Sequence, residues 1–269
     1  MRRVSLYTTS TPVRARRAAV AVLASLLPLA AFASDGALEI NQACVAAGCF
    51  AGDDPGFPVT IAAAGSYALT SNLTVPDAAT SAIQFDVPNV TLDLGGFVVA
   101  GPVVCTGEPA TSCGPSGSGV GISTYANARI HGGTVRGFGG TGIGVDSDSR
   151  IWDLVVTNNG GTGIALSRGG SVRNSTVTFN GGSGITANTG GGFGEVAGCT
   201  VRGNNGDGVT ASAGLIVDSR FQNNAFQGID GSAAAGGNVV SGNAGTPDIG
   251  ANVDVIACNQ VDSVVVCPP

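Results

Sequence analysis

The stretch RIHGGTVRGFGGTGIGVDSDSRIWDLVVTNNGGTGIALSRGGSVRNSTVTFNGGSGITA, residues 129–187, is one phrase written three times at a step of 21 residues. Each writing opens on a short run rich in β-branched residues, passes an Asn/Gly turn, and resumes at Gly-Ile with a second short run. Ile130, Ile151 and Val172 make a first apolar column, Val135, Val156 and Val177 a second, and Ile143, Ile164 and Ile185 a third. Downstream the columns continue through Val196 and Ile216, Val201 and Phe221, and Val209 and Ile229, with steps of 24 and then 20 in all three. Columns that change step together belong to a chain that coils, so that a longer coil delays every column equally.

Helices do not fit this stretch, because glycine recurs every few residues and costs about 1 kcal/mol each in a helix interior. The leucine pattern of leucine-rich repeats is missing as well. The repeat predicts an all-β, single-stranded parallel β-helix, a solenoid with about 20–24 residues per coil and equivalent residues stacked roughly 4.8 Å apart. Asn159, Asn180, Asn204 and Asn224 each follow the second column by three residues. There an amide ladder is expected to run up the stack, with each Asn at a left-handed bend.

Upstream, NVTLDLGGF, residues 89–97, begins an earlier coil, which carries a Gly/Pro/Ser-rich loop before Gly119-Val120-Gly121-Ile122. With Gly140-Thr141-Gly142-Ile143 and its echoes at 161–164 and 182–185, the stretch resembles the secreted right-handed parallel β-helix proteins of bacteria. Theirs is the pectate-lyase-like superfamily, pectate lyases and alginate epimerases among its members. The resemblance covers roughly residues 60 to 250. It implies a right-handed coil, and it implies little about function, since the matching residues are those that make coils.

The ends read differently. Arg14, Arg16 and Arg17, the apolar run Ala18 to Ala31, and Ala31-Phe32-Ala33 have the three parts of a cleavable secretory leader. No cysteine sits at the cut, and Arg16-Arg17 lacks the flanks of a twin-arginine signal. The expected organisation is a leader over 1–33, an N-terminal cap segment over 34–58, the β-helix over 59–251 and a closing segment over 252–269. Ala37 to Ala47 reads as a short amphipathic cap, and Asn252 to Val266 alternates like a strand that closes the last coil. The predicted location is secreted or periplasmic, with no membrane span once the leader is removed.

Charge narrows the partners. There is no lysine; after residue 33 the chain has seven Arg against 18 Asp and Glu, a net 7 − 18 = −11 with His neutral. Such a surface repels phosphate backbones, so no nucleic-acid partner is expected. Seven cysteines in an exported chain suggest disulfides, and six fall into close pairs: Cys44/Cys49, Cys105/Cys113 and Cys258/Cys267. Were the first segment helical, Cys44 and Cys49 would point apart, too far to bridge. Cys199 stands alone, in one column with Leu154, Ser175 and Ser219, as a small core residue. No spacing fits zinc, and the Gly-rich calcium repeat fails because Gly144, Ala165 and Thr186 stand where its Asp should. No metal and no cofactor are expected.

Lyases of the resembling superfamily abstract a proton with Arg or Lys and hold calcium with clustered Asp; related hydrolases use paired carboxylates. Here Asp146, Asp148, Asp153, Asp207, Asp218 and Asp230 read as lying in different columns, and Asp146 and Asp148 as turn chemistry. A single histidine leaves no Ser/His/Asp arrangement. The glycines before the third column read as turn requirements. The strongest constellation comes from strand alternation: with Ile130, Ile151 and Val172 inward, Arg129, His131, Arg150, Trp152, Ser171 and Arg173 face outward on three consecutive coils. Arg129, His131, Arg150, Trp152 and Arg173 are the candidate substrate-binding residues, suited to stacking a sugar ring and gripping its carboxylate. His131 or Arg150 is the candidate base within that patch. Asp153, the next residue after Trp152, is expected to turn to the opposite face. Two functions follow, a noncatalytic solenoid that binds an extracellular polysaccharide or another surface partner, and a lyase or epimerase acting on a uronate polysaccharide.

Overall fold

The computed structural model describes residues 36–187 and 192–268, and the leader reading at 1–33 lies outside them. Two parallel sheets carry the three apolar columns. The eight-stranded sheet stacks Val59–Ile61, Ile83–Phe85, Ile122–Ser123, Ile143–Val145, Ile164–Leu166, Ile185–Ala187, Val209–Ala211 and Ile229–Gly231 in that order. Its inward column is Val59, Ile83, Ile122, Ile143, Ile164, Ile185, Val209, Ile229, all fully buried. The 18-stranded sheet holds the other two columns, since each coil crosses it with two short strands, or with one long one at Arg129–Arg136 and Arg150–Thr157. There Leu92, Ile130, Ile151, Val172, Val196 and Ile216 stack in register, as do Val99, Val135, Val156, Val177, Val201 and Phe221. Stacked β-branched side chains fill the bore, and truncating one such as Ile164 to Ala costs roughly 2–5 kcal/mol.

The asparagine ladder is present and longer than four members. In each rung the upper Asn donates from its backbone N and its Nδ2 to the Oδ1 of the next, through Asn159, Asn180, Asn204, Asn224 and Asn243, at 2.8–3.1 Å. The left-handed bend, however, falls on the preceding residue: Asn158, Phe179, Gly203 and Asn223 have φ of 57°, 52°, 66° and 52°. The ladder Asn itself must keep its backbone N pointing along the stack. A second ladder runs Ser219, Asn238, Asn259, continuing the column of Leu154, Ser175 and Cys199.

The glycines before the third column serve space and not backbone angle. A Cβ on Gly163 would lie 2.5 Å from Val177 Cγ1 and 2.7 Å from the carbonyl oxygen of Gly184. The coils approach too closely there for any side chain.

All three cysteine pairs are disulfides: Cys44–Cys49, Cys105–Cys113 and Cys258–Cys267. Ala37 to Ala47 contains the strand Leu38–Ile40, in parallel register with Tyr67, Ala68 and Leu69, followed by turns. Those turns bring Cys44 and Cys49 to a Cα separation of 4.6 Å, which a helix would not allow. The Cys105–Cys113 bridge ties a two-stranded hairpin, Val104–Thr106 with Ser112–Gly114. This hairpin lies down the side of the solenoid: Cys105 N donates to Asn158 Oδ1, Ala110 N to the Gly203 carbonyl, and Arg202 pairs with Glu108 at 3.1 Å.

The closing segment departs from the single alternating strand expected over Asn252 to Val266. It is three short strands: Asp254–Val255 and Asn259–Val261 continue the sheet in parallel, and Val264–Val266 turns back antiparallel. Cys258 precedes Asn259 and Cys267 follows Val266, its register partner, so the Cys258–Cys267 bridge clasps this antiparallel pair at the end away from its turn. Cys267 is exposed, as is the strand before it, because an antiparallel return past the last coil has no further rung to cover it.

Candidate functional site

On the outer face of the 18-stranded sheet, two rows flank the first column. One row is Thr91, Arg129, Arg150, Ser171, Glu195, Leu215; the other is Asp93, His131, Trp152, Arg173, Ala197. All five candidate residues therefore share one face on neighbouring rungs, as strand alternation requires.

Their environments divide them. Arg129, Arg150, Trp152 and Arg173 line a concavity of about 650 Å³ together with Ile151, Ser171 and Glu195. His131 does not line it. Its ring stacks on Trp152, centroids 4.4 Å apart and planes 18° from parallel, and its Nδ1 lies 3.4 Å from Asp93 Oδ1. The imidazole thus braces the indole from the next rung. Arg173 is paired with Glu195, its Nη2 donating to both carboxylate oxygens at 2.7 and 2.6 Å. Arg129 and Arg150 have no ion-pair partner among the described residues, and they sit side by side on adjacent rungs. These two unpaired arginines, on adjacent rungs spaced roughly 4.8 Å, form a local positive centre on an acidic protein.

Two further concavities continue the first. One of about 470 Å³ is lined by Asn89, Thr91, Asn127, Arg129, Asp148 and Arg150. Another of about 440 Å³ is lined by Asp148, Ser149, Arg150, Gly170, Ser171, Phe193, Glu195 and Leu215. Arg150 belongs to all three. The bridged cysteines Cys44, Cys49, Cys105, Cys113, Cys258 and Cys267 line none of them and serve the fold alone.

The other acidic candidates are placed elsewhere, with two corrections. Asp153 does not turn inward: its φ of 55° is left-handed, so the residue is exposed and Leu154 takes the inward position. Asp153 and Asp218 also share a column, the bend that Gly132, Asn174, Gly198 and Gly237 occupy in other coils. They are three rungs apart, roughly 14 Å, and cannot act as a pair. Asp146 accepts from Ser147 within its turn. Asp207 accepts from Thr210 and from the Gln227 backbone, and with Asp230 and Phe226 it lines a separate concavity. Among the described residues no three His, Cys, Asp or Glu are grouped to hold a metal. Cys199 is buried and its thiol is pushed up to about 11 by burial, as an inert core residue.

Three residues of the site escape a reading limited to three coils: Glu195, Asp93 and Phe193. Glu195 precedes Val196 as Arg129 precedes Ile130, so carrying the first row one rung further finds it. Asp93 follows Leu92 as His131 follows Ile130. Phe193 lies just before the strand Gly194–Ala197, outside the rows that flank the first column.

Residues 118–251 match the family described as right handed beta helix region. With two parallel sheets coiling through the chain, the protein is a right-handed parallel β-helix repeat protein, consistent with the pectate-lyase-like superfamily. Among solved structures it is similar to tailspike protein 2 of Escherichia coli O157:H7 bacteriophage CAB120, at 12% identity and a TM-score of 0.41 over 68% of this chain and 31% of that one. It is also similar to the A-module of the Azotobacter vinelandii mannuronan C-5 epimerase, at 14% identity and a TM-score of 0.38 over 84% of each chain. A third, ORF18 of Geobacillus virus E2, has 13% identity and a TM-score of 0.35 over 76% of this chain and 50% of that one. The chain thus spans about a third of the tailspike's length. Likenesses this distant carry no statement about ligand or activity. Comparison with curated proteins finds no match.

Proposed function

We propose that this protein is an exported, noncatalytic β-helix that binds an acidic glycan along the face centred on Arg150. The observation that carries the reading is the Arg129/Arg150 pair, unpartnered among the described residues and lining one concavity with Trp152. A guanidinium offers two parallel donors that match a carboxylate, and the indole offers a face or edge against which a sugar ring packs. The three disulfides support an oxidising compartment. No helix among the described residues is long and apolar enough to cross a membrane.

The noncatalytic half rests on His131. A base must reach the proton it removes, and this imidazole is stacked on Trp152, beside Asp93, and outside the lining of the concavity. Two observations favour the second reading, a lyase or epimerase acting on a uronate polysaccharide: Arg150, the other candidate base, lines the concavity with no ion-pair partner among the described residues, and Asp148, from the turn before it, enters the lining beside it. The test is a binding screen of purified protein on an array of acidic and neutral glycans, run beside an ultraviolet assay for unsaturated products and an NMR assay for epimerised residues. Binding to acidic glycans with neither product supports the proposal. Unsaturated or epimerised product establishes the enzyme instead, and absence of any acidic-glycan binding refutes the reading.

A further inference from the structure

The single histidine and the single tryptophan of the chain touch each other, on the face that carries Arg129 and Arg150. The imidazole of His131 covers one face of the indole, and Trp152 in turn lines the concavity. On the rung before His131, in the same row, is Asp93. Its Oδ1 accepts from the Gly95 N–H at 2.8 Å, which fixes it, and lies 3.4 Å from His131 Nδ1. Carboxylate, imidazole and indole thus stand one above another on three consecutive rungs.

The charges that face His131 come from each strand around it. Asp93 is on the strand before, Arg129 on its own strand and Arg150 on the strand after, with Arg173 one rung further and already held by Glu195. Asp153 follows Trp152 at an exposed bend. Neither Arg129 nor Arg150 forms an ion pair with Asp93 among the described residues. Beside a neutral imidazole, Asp93 is therefore an unanswered negative charge two residues from Thr91, which lines the groove with Arg129. Two strand residues span roughly 7 Å, inside the screening length of physiological salt. A proton on the imidazole makes Nδ1 a charged donor to Asp93, neutralises the pair and sets a cation against the indole face, where it is favoured. An acidic glycan on Arg129 and Arg150 feels the difference as one unit of charge.

Resting on the glycan-binding reading above, we infer that His131 is a positioning residue that holds Trp152 and ties the affinity of the groove for an acidic glycan to its own proton. Imidazole is the side chain that ordinarily changes charge between pH 5 and 8, whereas arginine and the carboxylates of a glycan keep theirs over that range. Proton and anionic ligand favour each other, so the glycan binds more tightly as pH falls.

Calorimetry with hexagalacturonate at about pH 8 and about pH 5.5, at one ionic strength, tests this. The wild type is expected to bind roughly three- to tenfold more tightly at the lower pH, the effect of one charge about 7 Å from the ligand. His131→Phe keeps an aromatic ring on the indole and removes the proton, so its affinity should match the wild type at the higher pH and change less than about twofold at the lower. His131→Ala leaves the indole unbraced and weakens binding at both, a loss that His131→Phe restores. In the free protein the emission of Trp152 reads the same proton, because a cation held against the indole quenches it: emission should fall on acidification in the wild type and stay constant in His131→Phe. Equal affinity at the two pH values in the wild type, a pH dependence that survives in His131→Phe, or wild-type emission unchanged by pH overturns the inference while leaving the glycan reading in place. Binding at neither pH overturns the glycan reading, and this inference with it.

Discussion

Gly132, Asp153, Asn174, Gly198, Asp218 and Gly237 occupy the same bend in successive coils, all with φ between 49° and 77°. Glycine, asparagine and aspartate tolerate that region, whereas a β-branched residue there is strained. Asn174→Val is therefore expected to lower stability by about 1–2 kcal/mol, while Asn174→Gly stays within about 0.5, as measured by urea unfolding. This bend was legible in principle. Ile130 and Val135 are five residues apart, an odd number, yet both point inward, so one residue between them must fall out of alternation. Reading strict alternation through Trp152 put Asp153 on the wrong face for that reason.

Buried polar and sulfur atoms give two further tests at this scale. Thr124 Oγ1 is buried with no hydrogen-bond partner, at a position where Val145 and Leu166 stack in the following coils. An unsatisfied buried hydroxyl costs roughly 1–3 kcal/mol, so Thr124→Val should raise the urea midpoint. The Cys199 thiol, at about 11 against an ordinary 9.0, stays protonated in the fold after it has ionised in the unfolded chain. Its folded pKa is raised, so the stability it confers is fully present below about pH 9 and is lost as pH rises toward 11. Native protein at pH 8 should not react with a thiol reagent, and denatured, unreduced protein should show one reactive thiol. Reaction of the native state would contradict the burial.

At the scale of elements the ladder is the feature that makes each coil answer to the next. Asn204 accepts from the N and Nδ2 of Asn180, and donates to Asn224 Oδ1 and to the Val177 carbonyl. Replacing it by Ala strands these partners in the interior, where each costs roughly 1–3 kcal/mol, so Asn204→Ala should destabilise by at least about 3 kcal/mol in urea unfolding. A loss below about 1 kcal/mol would mean that water replaces the amide. The ladder was legible because asparagine repeats at the step of the columns; its continuation to Asn243 was not, since the columns were followed only to Phe221 and Ile229 and the next step of the second column, Phe221 to Val240, shortens to 19. The hairpin of Cys105 and Cys113 was visible as a loop. Its course along the Asn158 and Gly203 bends was not, because its contacts join residues tens of positions apart with no repeating step. The pairing of Cys258 with Cys267 was readable from their closeness, but the turn between them was hidden, since Val264–Val266 continues the apolar pattern of a strand without marking its reversal.

For the whole molecule, three columns at one shared step were enough to read the solenoid, since each coil repeats the same physical constraint. The site was legible in part. Alternation placed Arg129, His131, Arg150, Trp152 and Arg173 on one face, but no pattern in the sequence tells which guanidinium finds a carboxylate. That depends on Glu195 arriving on the rung after Ser171, past a coil of 24 residues. The result is an acidic protein whose unpaired cationic pair sits at the centre of a continuous groove.

The most direct measurement is the affinity of an acidic oligosaccharide for the wild type, for Arg129→Gln/Arg150→Gln, and for Arg136→Gln/Arg220→Gln as a control with the same change of net charge. The account predicts that the groove variant loses at least about 100-fold, the worth of two charge-assisted contacts, while the control changes less than about threefold. Equal losses in the two variants would show that attraction to overall charge holds the glycan, and would contradict a site at Arg150.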